Sequence, residues 1–187
     1  MYSQAAFWLI GLCVALGFNV AIILAICYPP LFLSQGYSVA QAGWFVSCAG
    51  IAGLAGKTIF AWLADAARAY ARWVAAGLLL IQIAGMSLLY GAGSAAEVIP
   101  AVCLLGFGGG AFIPVHPYLN SRYFDVSIIG QVNGAQMPLF LPFGLVGAPL
   151  AGYAYDSLGN YDAVLIALMI MLGASALCAL CLPGNRR

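Results

Sequence analysis

The sequence predicts an all-α membrane protein: one domain over residues 1–187, six transmembrane helices in a 3+3 inverted repeat, both termini cytoplasmic. Three observations predict it. The first is charge. Six basic and five acidic residues make 6% of the chain, against 65% hydrophobic residues and a mean hydropathy of +1.03. A water-facing domain carries about 25% charged residues, so this surface faces lipid. The same poverty of charge excludes a disordered chain and a nucleic-acid binder. The second is a set of six continuous apolar runs, each near the ~20 residues a helix needs to cross a bilayer. The third is the sorting of the arginines to alternate connections.

The runs lie at 7–28, 42–64, 73–92, 98–117, 131–154 and 163–182. The first has no basic segment before it and is too long for a signal peptide, so it reads as a span. Pro29-Pro30 marks its end. The second carries Gly50, Gly53 and Gly56 at three-residue spacing, and then Lys57. A connection with Asp65, Arg68 and Arg72 leads to the third. The fourth ends at Pro114-Val-His116-Pro117, where His116 reads as a solvated histidine at a kinked helix end. Pro138, Pro142 and Pro149 predict a kinked fifth run. The sixth holds Cys178 and Cys181, which read as packing residues because no His, Asp or second Cys pair accompanies them.

Arg68, Arg72, Arg122, Arg186 and Arg187 all fall on one side of this arrangement. Glu97, Asp156 and Asp162 fall on the other, without a lysine or arginine. The positive-inside rule makes the arginine side cytoplasmic.

The chain also matches itself at an offset of 91 residues. Gly53 and Gly56 fall on Gly144 and Gly147, Trp62 on Tyr153, Asp65 on Asp156, Tyr70 on Tyr161, and Gly17 on Gly108. The offset relates spans one to three to spans four to six. Three is odd, so the copies run in opposite directions, as in secondary transporters. Gly53, Gly56, Gly144, Gly147, Pro149 and Gly152 are the expected helix-packing positions, because small residues let helices approach where lipid gives no hydrophobic push.

Lys57 is the one formal charge well inside a span. A lysine at a helix centre costs about 2.5–3.5 kcal/mol, so it reads as a ligand partner unless its side chain snorkels to the interface. Asn19, Gln82, Asn133 and Gln136 are the buried amides. The sequence has no metal, cofactor or catalytic motif, so neither a cofactor nor an enzyme is expected.

The segment Gly53-x-x-Gly56-Lys57-x-x-x-Ala61-x-x-x-Asp65 resembles the eighth-helix signature of major facilitator superfamily carriers. Gly144-Leu-Val-Gly-Ala-Pro149-Leu-Ala-Gly152-Tyr-Ala-Tyr-Asp156-Ser-Leu-Gly159-Asn-Tyr161 resembles their eleventh helix and following loop, most like the monocarboxylate and oxalate–formate branch. The resemblance implies the C-terminal six-helix half of a plasma- or inner-membrane carrier that moves a small organic anion by alternating access. It implies a second six-helix half, from another chain or from a second copy. It places Lys57, Asn19, Asn133 and Gln136 toward the substrate, and Asp65, Arg68 and Arg72 at the cytoplasmic gate. The family's arginine and glycine after that aspartate are missing here. Gly53 stands where some relatives have a proton-coupling aspartate, which leaves any proton coupling to Lys57 or to the other half. The competing expectation is a non-transporting split or truncated product, or a membrane scaffold.

Overall fold

The computed structural model describes residues 4–184, so Arg186 and Arg187 lie outside the described residues. Those residues are mostly helical, without a strand, and six helices are long and apolar enough to cross a membrane. Helices α1 (Ala5–Ser34), α2 (Val39–Leu63) and α3 (Ala71–Tyr90) form the first three spans. The fourth is α4 (Ala95–Phe112), prolonged by α5 (Val115–Tyr123). The fifth is α6 (Ile129–Gln136) and α7 (Leu141–Leu158), joined by a 3-10 turn at Met137–Phe140. The sixth is α8 (Asp162–Leu180).

Local chemistry explains the boundaries. Ser38 and Gln41 open α2 with a reciprocal capping box. Gly159 closes α7 with a φ of +74°, a conformation that L side chains rarely adopt. Pro114 and Pro117 lack the amide hydrogens that would continue α4 without a break, and the helix resumes as α5. Pro138 and Pro142 do the same in the fifth span, where the chain tightens to a 3-10 turn.

Two boundaries differ from the sequence reading. The fourth span runs past Pro117 to Tyr123 as α5. The first does not stop at Pro29-Pro30 but continues to Ser34. Aromatic packing holds the extra turn: Tyr28 stacks on Phe32 at 5.6 Å, and Phe32 meets Phe45 edge-on at 5.0 Å. Tyr37 closes the group against Phe45 at 5.1 Å. Burying these rings outweighs two missing backbone donors.

The packing follows the repeat. The middle helix of each copy lies on the first helix of the other: α2 on α4, and the fifth span on α1. Helices α3 and α8, the third of each copy, pack on each other and on α4 and α1 respectively. The correspondence reaches single residues. Gly53 packs against Gly110 and Gly144 against Asn19, and 91 positions separate both Gly53 from Gly144 and Asn19 from Gly110.

The α2–α4 seam is backbone on backbone. A methyl group on Gly110 would overlap the Gly53 carbonyl, one on Gly106 the Ala49 carbonyl, and one on Gly56 the Phe107 carbonyl. Close approach of this kind provides dispersion and weak Cα–H···O contacts. The second and fifth spans nevertheless bury the least of their surface, so each has a broad face that this chain leaves uncovered.

The two described ends of the chain meet on one side. Arg72 Nη1 donates to the Leu182 carbonyl at 3.0 Å, and Tyr123 Oη donates to the Pro183 carbonyl at 3.0 Å. Gln4, Arg122 and Gly184 line one hollow there. An even number of crossings requires this.

Candidate functional site

Two regions hold the polar chemistry. The first is the uncovered face of α2. Lys57 is exposed there, and among the described residues no hydrogen bond or ion pair reaches it. Gly43, Ser47, Gly50 and Ala61 share its stripe at helical spacing, all exposed. A methyl group on Gly43 or Gly50 would meet nothing within 4 Å.

The second is a buried network between α1, α5 and α6. Gln136 Nε2 donates to the Phe7 carbonyl at 2.7 Å. Its Oε1 then accepts from Asn120 Nδ2 at 2.7 Å and stands 2.7 Å from His116 Nε2. Asn120 Nδ2 also donates to Asn133 Oδ1 at 2.6 Å. A backbone carbonyl only accepts, so the Gln136 amide has one orientation, with its oxygen toward His116. The Asn120 Oδ1 atom is buried without a partner. His116 is 6% exposed, which corrects the solvated histidine read from the sequence. Its helix resumes after the kink and carries the ring inward to the amides.

A cavity of about 680 Å³ adjoins this network. Val14, Phe18, Ile113, Phe140 and Leu141 give it apolar walls, and His116 gives it a polar nitrogen. An apolar hollow with a few convergent polar groups suits a small organic ligand.

The other expected residues are distributed around this centre. Asn19 is buried and donates from Nδ2 to the Ala15 carbonyl at 2.8 Å and the Phe140 carbonyl at 3.0 Å, tying α1 to the turn in the fifth span. Gln82 lies apart, between α3 and α4 beside Gly108, with its Nε2 unpartnered. Asp65 pairs with Arg68 at 2.6 Å on the surface, and that guanidinium holds its carboxyl below the usual carboxylate range. Arg72 instead binds the Leu182 carbonyl and lies over the Trp73 ring. Gly147 packs on Ile23 of α1, whereas Gly152 has nothing within 4 Å and Pro149 is exposed.

The structure therefore joins Asn133 and Gln136, and leaves Lys57 outside their hydrogen bonds. His116 and Asn120 enter the site beyond the sequence reading. Their signal was spacing: positions 116 and 120, and 133 and 136, each share a helix face. Gly106 and Gly110, which pack on Ala49 and Gly53, carried a four-residue spacing of their own.

Comparison with known proteins gives this geometry a context. The Major Facilitator Superfamily family model matches residues 7–187. Monocarboxylate transporter 12 of Rattus norvegicus is 25% identical over 139 residues, 73% of this chain and 29% of that protein. The uncharacterized transporter YycB of Bacillus subtilis is 25% identical over 152 residues, 79% of this chain and 38% of that protein. The inward-open structure of the xylose transporter XylE from E. coli superposes with a TM-score of 0.70 at 15% identity, covering 98% of this chain and 48% of that one. This likeness is one of fold. The chain spans about half of that structure and under two fifths of those curated relatives. The chain is thus a multi-pass membrane protein of a transporter family and not an enzyme: it belongs to the major facilitator superfamily.

Proposed function

We propose that this chain is one six-helix half of a secondary carrier for a small, monocarboxylate-like organic anion, working by alternating access in the plasma or inner membrane, its ends cytoplasmic. The carrying observation is Lys57, a charge placed within a span, on the uncovered face of α2, with no partner among the described residues. Keeping a lysine there costs free energy that an anion offsets. The name of the rat relative supports a monocarboxylate. The absence of any lysine or arginine between Arg122 and Arg186 argues against two-point capture of a dicarboxylate.

The uncovered faces of the second and fifth spans support a second half, supplied by another chain or another copy. Halves of such carriers are related by an axis along the membrane normal, which suits either source. The test is uptake of radiolabelled propionate by proteoliposomes holding the chain alone, or with a second six-span half. Saturable uptake that Lys57→Ala abolishes supports the reading. Unchanged uptake and affinity in Lys57→Ala removes Lys57 from the site. No uptake in either preparation favours a membrane scaffold.

A further inference from the structure

We propose that Nδ1 of His116 accepts the proton of a carboxylic acid bound in the cavity between α1, α5 and the fifth span. The assignment rests on the organic-anion reading above and deepens it.

The network sets the tautomer. Gln136 must turn its oxygen to the ring, because its nitrogen is engaged by the Phe7 carbonyl. A short contact to that oxygen requires a hydrogen on Nε2. In the neutral ring Nδ1 is then bare. Among the described residues nothing donates to Nδ1, although the ring is 6% exposed and lines the cavity. The other lining residues, from Val14 and Phe18 to Phe140 and Leu141, do not titrate.

No competing charge faces the ring from the elements packed around it. Helix α1 carries no Asp, Glu, Lys or Arg, and neither does the fifth span before Asp156. Glu97 lies at the opposite end of α4. Arg122, on α5 itself, lies over the Tyr118 ring at 5.2 Å, and Arg72 of α3 is held by Leu182. Helix α2 meets α5 where Phe60 packs on Tyr118 at 5.3 Å; its Lys57 lies on the exposed face, and Asp65 and Arg68 pair with each other on the surface beyond it. The thiol of Cys13 faces Ser175 of α8.

The transfer balances without another reactant. The acid's O–H bond breaks, an N–H bond forms at Nδ1, and a carboxylate faces an imidazolium. Acid with imidazole, and carboxylate with imidazolium, are both neutral overall, so the apolar walls meet no net charge. The imidazolium donates from both nitrogens, so Nε2 keeps its bond to Gln136 while Nδ1 binds the carboxylate.

His116 is the chain's one histidine, so ¹⁵N-histidine labelling gives one imidazole to observe. In the full chain in lipid nanodiscs, the expected ring at pH 8 is the Nε2–H form, and saturating propionate raises the midpoint of Nδ1 protonation by about one pH unit, a tenfold preference for the protonated ring. His116→Gln keeps a donor toward Gln136, and in it the pH dependence of propionate affinity flattens. An Nδ1–H tautomer overturns the proposal. So does propionate binding, seen by calorimetry, that moves neither the Nδ1 signal nor its midpoint, and in that case the organic-anion reading survives. If calorimetry detects no binding of propionate at any pH, both fall for this chain.

Discussion

Gln136 reaches across the bundle to Phe7, its Nε2 donating to a backbone carbonyl 129 positions earlier in the chain. The bond ties the start of α1 to the fifth span and fixes the orientation of the buried amides. Replacing Gln136 with Leu leaves the donors of His116 and Asn120 without their shared acceptor. The expected loss is about 1–3 kcal/mol. Gln136→Glu loses less at low pH, where a protonated carboxyl can accept from Asn120 and donate to Phe7, than at neutral pH, where it buries a charge without that donor. Thermal unfolding in detergent, followed by near-UV dichroism, checks the order.

The α2–α4 seam makes a contrasting prediction for glycines of the same composition. Gly110→Leu drives a side chain into the Gly53 carbonyl and is expected to cost at least about 1–3 kcal/mol. Gly152→Ala meets open space and is expected to stay within about 0.5 kcal/mol of the parent. Equal effects would mean that the seam is not where the helices touch. The same unfolding assay measures both.

Gly50 separates folding from association. A side chain there meets nothing in this chain, so Gly50→Leu should melt as the parent does. If the uncovered face of α2 meets a second half, propionate uptake by the paired assembly falls about tenfold, the effect of ~1.4 kcal/mol on association. Parental uptake in this variant would place the second half elsewhere.

Asp65 and Arg68 predict a pH response at the loop after α2. Arg68 lowers the Asp65 carboxyl, so the pair's contribution is present at neutral pH and is lost as pH falls through that lowered value. In Arg68→Ala the Asp65 midpoint should climb toward the ordinary aspartate range. A carbon-detected NMR titration of the side-chain carboxyl reads it. An unmoved midpoint would mean that the contact does not persist in solution.

The legibility of this chain in its sequence divides by physical cause. Span number and the repeat were readable because lipid imposes length, and duplication leaves an offset. The continuation of α1 past Pro29-Pro30 was not, since it depends on Phe45 arriving from another helix. Gly53 and Gly56 were visible as small residues, but Gly110 and Phe107 became their partners only once α4 was laid on α2. Asn133 and Gln136 were recognised as amides in a span. Nothing local told His116 that Gln136, twenty positions on, would present an oxygen to it. Long-range pairing, not local preference, made that site.

The duplication did not leave two identical joints. Where one copy sets Gly110 against glycine, the other sets Asn19, which reaches Phe140 through a side chain. The first joint resembles a weld: it has no rotamer to change, and its helices move together or part. The second resembles a latch, since rotation of one side chain releases its hydrogen bond to Phe140. A domain with one welded and one latched joint has a direction of compliance written into it. That direction lies at the fifth span, whose prolines have already loosened its backbone and whose turn borders the largest of the cavities described.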